Sequence, residues 1–514
     1  MLRRSLTLFG ACLAAISTGT QYCASSYSPQ LSERLGLNSK QTNALLLCAN
    51  TAIYLTGPLA GALVDRKGHR LCMIIASVFL FTGYFVMRLY YDSGADGIRK
   101  SAGLVPLGIA QAMIGVGSSA SYAGMSNSVA RTFSSTRRAT ALSISIACIG
   151  LSAFLYSSLA PYSLMPGFDS TSSFLLLLAV GCSSSVLLSA LLMRPPPLER
   201  IKNRGQTPKQ PSASTKAKED DGDDAASMPG SRSQSITILP EHDATIVAME
   251  KSRSQQQGLY AWSIDSNYTY SPTGASQVDV RGWQLITSGD FGLLYLFLGL
   301  LTGCGLMFIN NLGTVVHSFP YPMPSNSNSD APLLLQQRLV SFLSICNCLG
   351  RLTVGPLSDL LAHKFARVWF LPPVAALFVA ANAWASELYS LNLLWGVTAL
   401  FGFAYGMLAA GLPPFVIDWF GLPSFTTNAG ILGTAPVLFA NGANLVFGVI
   451  YDAHATTSAL DRTAAKQAGL HTPEHLCTLG NACFSDSFKV TSSLSAVAFV
   501  AAALLVWRRV KSKT

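Results

Sequence analysis

Residues 61–70 read Gly61-Ala62-Leu63-Val64-Asp65-Arg66-Lys67-Gly68-His69-Arg70 and join two long apolar runs of the chain. Glycine permits close helix contact at Gly61 and a tight turn at Gly68. Asp65, at the end of the first run, can face the positively charged N-terminus of a neighbouring helix. Arg66 and Arg70 are typical of the cytosolic side of a membrane protein, where basic residues collect. The stretch therefore predicts a short cytosolic connection between two membrane-spanning helices.

The composition of the whole chain indicates a membrane protein. Of its 514 residues, 50% are hydrophobic and 12% are charged, whereas soluble proteins contain about 25% charged residues. A soluble enzyme, a disordered scaffold and a secreted disulfide-rich module are therefore disfavoured. The net charge of +10 comes from basic clusters beside apolar runs, which set membrane orientation. We expect no nucleic-acid partner.

Apolar runs of about 20 residues recur along the chain, and each is long enough to cross about 30 Å of hydrocarbon. Backbone groups in lipid must be bonded internally, so each run is predicted to be a helix. The fold class predicted is an all-α membrane protein with twelve transmembrane helices in two six-helix bundles. The runs are 6–27, 41–64, 71–90, 103–124, 139–162, 172–193, 291–311, 333–357, 368–386, 391–412, 429–450 and 488–507.

One long polar segment divides the runs into two sets of six. We expect an N-terminal six-helix bundle over 1–193, a disordered cytosolic linker over 194–289, and a C-terminal six-helix bundle with a cytosolic tail over 290–514. The segment is rich in Ser, Gln, Asp and Lys, and such a composition cannot bury enough apolar surface to order itself. Short connections on the side of residues 61–70 hold about twice as many Lys and Arg residues as those opposite. Both termini are therefore predicted to be cytosolic.

The second half contains a degenerate copy of the opening stretch, Gly355-Pro356-Leu357-Ser358-Asp359. Asp359 follows Gly355 by four residues, as Asp65 follows Gly61, and both copies end the second run of their half. The repetition indicates internal duplication, as expected for two six-helix repeats related by an axis along the membrane normal.

Residues 61–70 resemble the G-x-L-x-D-R-x-G-R-K loop of the major facilitator superfamily. The resemblance implies a secondary transporter whose halves rock around a central cavity, with this loop locking the cytosolic gate when the cavity faces outward. The expected gating residues are Gly61, Asp65, Arg66, Gly68 and Arg70 and, more weakly, Asp359. The alternative for the basic residues is a role in orientation alone.

Three shorter stretches resemble one branch of that superfamily, the fungal monocarboxylate-transporter homologues and nodulin-like transporters. They are residues 21–31, the entry to the fifth run at 131–139, and residues 477–484 before the last run. The resemblance implies a small organic anion such as a monocarboxylate as substrate, and a vacuolar location with the plasma membrane as alternative. It adds Arg137 and Arg138 to the expected gating residues.

Arg351, inside the eighth run, is the first candidate substrate ligand. Monocarboxylate transporters carry an Arg four residues before a Gly here, with an Asp four residues before the Arg, and Arg351 matches that Arg. Its planar guanidinium can hold a carboxylate through two hydrogen bonds. Asn347 stands at the position of the Asp, and the helix 1 Lys of the proton-linked members has no counterpart in 21–28. The alternative is that Arg351 pairs with Asp359 or a neighbouring helix end.

Polar residues inside the other runs are expected to face the cavity or a partner helix, because an amide in hydrocarbon is unfavourable. Interhelical hydrogen bonding is the alternative to substrate binding for each of them. These candidates are Gln111, Asn310, Asn311, Asn441 and Asn444.

Two cysteines lie outside the apolar runs, in the connection before the last one. Five residues, Gly480 among them, lie between Cys477 and Cys483, on the side of the membrane that permits disulfides. A disulfide that pins this connection is favoured over two free thiols.

Catalytic and cofactor motifs do not occur in the sequence, which has no H-E-x-x-H, Walker A, G-x-S-x-G or C-x-x-C pattern. We expect no enzyme activity, no cofactor and no metal. The expected partners are a small-molecule substrate, a proton or another coupling ion, and the lipid bilayer, and the expected state is a monomer. The alternative function is an orphan member of the superfamily that moves or senses another small metabolite.

Overall fold

Long helices form the framework of the protein. The computed structural model describes residues 2–37, 39–100, 103–159, 170–196, 279–319, 331–362, 364–467, 477 and 479–511, and these residues include no strand. The long helices are α1 (Leu2–Thr18), α2 (Ser39–Lys67), α3 (His69–Lys100), α4 (Val105–Thr132), α5 (Arg138–Leu159), α6 (Ser170–Leu192), α7 (Gly289–Ser318), α8 (Ala331–Leu361), α9 (Leu371–Ser386), α10 (Leu391–Phe420), α11 (Ala435–Gln467) and α12 (Ser485–Lys511).

The helices form the two six-helix bundles that the sequence predicts, α1–α6 and α7–α12. Within the described residues, nine helices are long and apolar enough to cross a membrane. The polar helix α4 is buried along most of its length. Its small residues explain this: a Cβ on Gly115 would overlap the carbonyl oxygen of Ala49 in α2, and one on Gly117 would lie 2.8 Å from Leu80 in α3. Small residues let membrane helices approach this closely.

Several helices extend beyond the predicted ends, such as α3 to Lys100 and α10 to Phe420. Two further runs differ from the prediction in their local structure. The first run, expected over 6–27, is α-helical only to Thr18 and continues as a 3-10 helix, Gly19–Ser26. The eleventh, expected over 429–450, starts earlier as a short helix, Phe425–Leu432, and turns before α11 begins. Pro436 explains the turn, because it has no N–H to continue the hydrogen bonding of that short helix.

The linker predicted over 194–289 lies mostly outside the described residues. Its last part is structured, since the Val280 N–H donates to the Phe420 carbonyl at 3.0 Å and a helical turn spans Trp283–Ile286. Val280 is also buried. This end of the segment therefore packs on the C-terminal half.

The start of α1 and the end of α12 lie on one face of the protein. Arg3 at the start of α1 donates through Nε to the Arg194 carbonyl after α6 at 2.5 Å. At the end of α12, Arg508 and Arg509 pair with Asp290 at the start of α7, at 2.9 and 2.8 Å. We call this side, which also carries Asp65, the gate face, and the opposite side the far face.

Candidate functional site

On the gate face, the end of α2 is bonded to the other half of the protein. Asp65 Oδ2 accepts hydrogen bonds from the backbone N–H and the hydroxyl of Thr427 at 2.8 and 2.7 Å. Its Oδ1 accepts from the Thr426 hydroxyl and from Asn127 Nδ2, the latter at 3.0 Å. Thr426 and Thr427 open the short helix Phe425–Leu432, so the carboxylate also faces the positive end of a helix dipole. We call these contacts the Asp65 lock.

Glycines allow the two halves to touch at this lock. A Cβ on Gly61 would overlap the backbone carbonyl of Thr426, and one on Gly430 would overlap the backbone of Gly57. Gly68 has φ +92°, in the left-handed region that favours glycine. The glycines of the opening stretch therefore lie where a close approach and a turn require them.

A second lock has the same construction with the halves exchanged. Asp359, near the end of α8, accepts from the backbone N–H and the hydroxyl of Thr140, both at 2.8 Å. Thr140 lies in the first turn of α5. Gly355 lies against Ser143 of α5, as Gly61 lies against the short helix. We call this the Asp359 lock.

Arg367 ties the second lock to its surroundings. Its Nη2 donates to Asp359 Oδ1 at 2.9 Å and to the Ser135 carbonyl at 3.1 Å, while Nη1 donates to Asp418 at 2.5 Å. Ser135 belongs to the N-terminal half and the other two belong to the C-terminal half. Arg367 thus adds one more bond between the halves.

The predicted basic gating residues lie around these locks. Arg66, Arg70 and Arg137 are exposed. Arg138 donates through Nε to the Phe133 carbonyl at 3.4 Å, within its own half. At the two locks, the predicted acids Asp65 and Asp359 bind threonines that the sequence did not single out.

A cavity of about 460 Å³ lies between the halves, beyond the locks. Its wall includes residues of α1, α2, α4 and α5 from one half and α7, α8, α10 and α11 from the other. Near the locks the wall is closed, with Phe425 1% and Thr426 4% exposed. Exposed wall residues, among them Asn50, Asn310 and Asn441, lie on the helix portions away from the locks. The cavity therefore opens to the far face.

Arg351 is the only charged side chain among the described residues that line the cavity. It is 3% exposed. Its Nε donates to Asn347 Oδ1 at 2.8 Å and its Nη1 to the Ile146 carbonyl of α5 at 2.7 Å. Both acceptors are neutral, and Nη2 makes no hydrogen bond to any described residue. Neutral oxygens thus hold the guanidinium in place, and its terminal nitrogen Nη2 remains available as a hydrogen-bond donor.

The predicted amides divide between the cavity wall and the packing of helices. Asn444 Oδ1 joins α11 to α7 by accepting from Asn310 at 3.4 Å and from Asn311 at 3.0 Å. Asn310, Asn441 and Asn444 line the cavity. Gln111 also lines it but is 2% exposed and donates to the Tyr27 hydroxyl at 3.3 Å.

The sequence did not single out a further amide pair in the wall. Gln21 Nε2 donates to Asn50 Oδ1 at 2.8 Å, and both residues line the cavity. Gln21 Oε1 is buried without a hydrogen-bond partner among the described residues. The sequence shows one amide in each of two separate apolar runs. It does not show that these two side chains face each other in the fold.

Cys477 and Cys483 form a disulfide before α12. Both sulfur-bearing residues are fully buried, and the Cys477 N–H donates to the Tyr451 hydroxyl of α11 at 3.1 Å. The bond therefore closes a small loop against the far-face end of the C-terminal half.

Comparison with known protein families agrees with the two-bundle fold of the chain. The sequence profile of the Major Facilitator Superfamily matches residues 8–435. The chain belongs to the Major Facilitator Superfamily. It is accordingly an integral, multi-pass membrane transporter of the superfamily rather than an enzyme, and its partner is a small-molecule substrate.

Several proteins are similar to this Major Facilitator Superfamily member over most of their length. An uncharacterised membrane protein of Saccharomyces cerevisiae is 25% identical, covering 95% of this chain and 91% of its own. The Neurospora crassa protein named as probable transporter mch1 is 25% identical, over 98% of this chain and 88% of its own.

Solved structures share the fold. The human organic anion transporter MFSD10 aligns with a TM-score of 0.55 at 16% identity, covering 98% of this chain and 99% of its own. The Escherichia coli fucose:proton symporter FucP aligns with a TM-score of 0.55 at 11% identity, covering 97% and 98%.

Proposed function

We propose that the protein is a secondary active transporter of a small organic anion, of the monocarboxylate type, and that Arg351 binds the anionic group. The single observation that carries the proposal is the uncompensated guanidinium in the cavity wall. A buried charge is unfavourable unless it is paired. A carboxylate from the far face would supply the missing charge, and the unused Nη2 would supply a hydrogen-bond donor.

Asn347 strengthens this assignment. Its amide oxygen orients Arg351 without neutralising it, whereas an acid there would itself pair with the guanidinium. The Ile146 carbonyl has the same effect from the other half. A substrate anion at Arg351 would therefore contact a side chain that already bridges α8 and α5, which is where the halves must move apart.

We propose alternating access with the two locks as the cytosolic gate. In the described state both locks are made and the cavity opens to the far face. Opening to the gate face requires Asp65 to leave the Thr426–Thr427 helix end and Asp359 to leave Thr140. Rocking of one bundle against the other would break both locks together, because each joins one half to the other.

The remaining assignments follow the positive-inside rule and the branch resemblance. We propose that the gate face and both termini are cytosolic, that the protein acts as a monomer in the vacuolar membrane, and that a proton or another ion gradient drives uptake. The plasma membrane is the alternative location.

Uptake by proteoliposomes of purified protein tests the proposal, with a panel of radiolabelled monocarboxylates and with or without a proton gradient. Arg351→Ala removes the positive charge, the hydrogen bonds to Asn347 and Ile146, and the proposed hydrogen bond to the anion. A hydrogen bond to a charged group contributes about 1.5–3 kcal/mol. We expect uptake to fall at least roughly tenfold, since 1.4 kcal/mol corresponds to a factor of ten.

Arg338→Ala is the matched control, because Arg338 lies on the same helix, is exposed, and does not line the cavity. We expect this variant to keep its uptake. Unchanged uptake by a folded Arg351→Ala protein would remove Arg351 from the site. Saturable ligand binding without any flux would favour a sensor over a transporter.

A further inference from the structure

The polar groups of the cavity wall lie at two levels, and the level of the anion site follows from helix geometry. Arg351 is ten residues from the end of α8 at Leu361. At 1.5 Å per residue this places it roughly 15 Å from the gate face. Its contact with Ile146, eight residues from the start of α5, agrees with that depth.

Neutral amides form the second level, which we call the amide collar: Gln21, Asn50, Asn310, Asn441 and Asn444. Asn50 is 17 residues from the end of α2, and Asn310 is 21 residues from the start of α7. These counts correspond to roughly 25 and 31 Å from the gate face. The collar thus lies roughly 10–15 Å further from the gate face than Arg351.

Hydrogen-bonding capacity remains unused in the collar. Asn441 is exposed in the cavity wall and makes no side-chain hydrogen bond to a described residue. Asn50 accepts from Gln21 through Oδ1, and its Nδ2 donates to no described residue. Gln21 Oε1 has no partner among the described residues either. An unmade hydrogen bond at a buried atom such as Gln21 Oε1 is unfavourable, and the exposed amides can exchange water for a ligand. The collar therefore suits a neutral polar group of a ligand.

The wall between the two levels is mainly apolar and aromatic, and the hydroxyl groups of Ser118, Ser119 and Thr302 also lie in it. Tyr54 of α2 and Tyr405 of α10 line it from opposite halves, together with Leu408. Counted along their helices, the tyrosines lie roughly 20 and 22 Å from the gate face, between Arg351 and the collar. Aromatic rings at this level favour a flat or hydrocarbon body in the ligand.

We infer that the transported anion is elongated, with a carboxylate at Arg351, an apolar or aromatic body between Tyr54 and Tyr405, and a neutral hydrogen-bonding group at the amide collar. This inference rests on the proposed anion transport and deepens it. The cavity volume of about 460 Å³ is also large for a three-carbon acid and within the range of drug-sized ligand sites. The substrate class is therefore a hydroxylated or similarly substituted aryl- or alkyl-carboxylate.

A matched pair of anions tests the inference by proteoliposome uptake. The probes are 3-(4-hydroxyphenyl)propanoate and 3-phenylpropanoate, which differ only in the hydroxyl group, with lactate as a short anion. We expect a KM roughly three- to tenfold lower for the hydroxylated anion, as one neutral hydrogen bond supplies. Lactate, which cannot reach the collar from Arg351, has the highest KM of the three.

Asn441→Ala is expected to bring the KM values of the two aryl anions together, because the KM of the hydroxylated anion rises more than that of 3-phenylpropanoate. Asn441 is suitable because its loss breaks no hydrogen bond between described residues. Leu438→Ala is the control, since Leu438 is on the same helix, 70% exposed, and absent from the cavity wall.

The possible failures are distinguishable. One failure is equal KM values for the two aryl anions in protein whose uptake depends on Arg351. That result overturns the assignment of the collar but does not contradict anion transport. An equal loss for both anions in Asn441→Ala also overturns it, because the residue would then act on the fold or on the transport cycle. Absence of uptake for all three anions contradicts both this inference and the proposed function.

Discussion

Replacing Asp65 with asparagine tests the gate while conserving the shape of the side chain. The carboxylate accepts four hydrogen bonds across α2, α4 and the Phe425–Leu432 helix. In asparagine one oxygen becomes an NH2 group, which cannot accept from Thr426 or Thr427. The charge that faces the helix N-terminus is lost as well.

The size of the effect can be estimated from those contacts. Loss of one charged acceptor weakens the far-open state by about 1.5–3 kcal/mol, and loss of the charge–dipole interaction adds about 0.3–1 kcal/mol. A sum of roughly 2–4 kcal/mol changes the ratio of far-open to gate-open protein about 30- to 900-fold. From a starting ratio of about ten to one, even the smaller factor reduces the far-open fraction to roughly a quarter.

Labelling of a cavity cysteine from the far face measures that fraction. Leu306 lines the cavity, so Leu306→Cys in a protein without other free cysteines reports its accessibility to an impermeant maleimide. We expect Asp65→Asn to slow labelling at least threefold. Asp486→Asn is the control, because Asp486 is an exposed acid bonded to Lys489 within α12. An unchanged labelling rate in folded Asp65→Asn protein would refute the gating role.

Gly61→Ala should shift the protein away from the far-open state in the same assay, because its Cβ would overlap Thr426 and overpacking is typically unfavourable by about 1–3 kcal/mol. Gly442→Ala, whose Cβ would meet no atom within 4 Å, should label normally, and equal rates for both variants would argue against close packing as the cause. Cys477→Ser should lower the free energy of unfolding by about 2 kcal/mol, as expected for opening a loop of this length, while uptake is retained. Identical thermal unfolding of the variant and the parent, with intact disulfide in the parent, would count against that stabilising role.

The sequence predicted the twelve-helix fold because the apolar runs have the length that a bilayer requires, and a repeated spacing marked Asp65 and Asp359, the acids of the two locks. It did not identify what those acids bind. Thr140 is 219 residues from Asp359, and Thr427 is 362 residues from Asp65. Such contacts depend on how the two halves pack, and a run of apolar residues carries little information on which side of a helix faces the partner bundle.

Arg351 shows the same limit. Its position in an apolar run marked it as important, but the sequence left a substrate, Asp359 or a helix end as its partner. The structure gives it the mid-helix carbonyl of Ile146 and the amide of Asn347, and neither acceptor has a sequence signature. Arg367 was not among the predicted site residues, yet it bonds both halves at the Asp359 lock.

The central claim is that two bundles close alternately on the gate face and the far face, and paired distances measure this directly. Spin labels at Lys67 and Leu360 span the halves on the gate face, and labels at Val105 and Tyr389 span them on the far face; all four residues are exposed. When a transported anion is added to the reconstituted protein, we expect a second population with a longer gate-face distance and a shorter far-face distance. Distances that stay fixed during transport, or that lengthen on both faces together, would contradict the account.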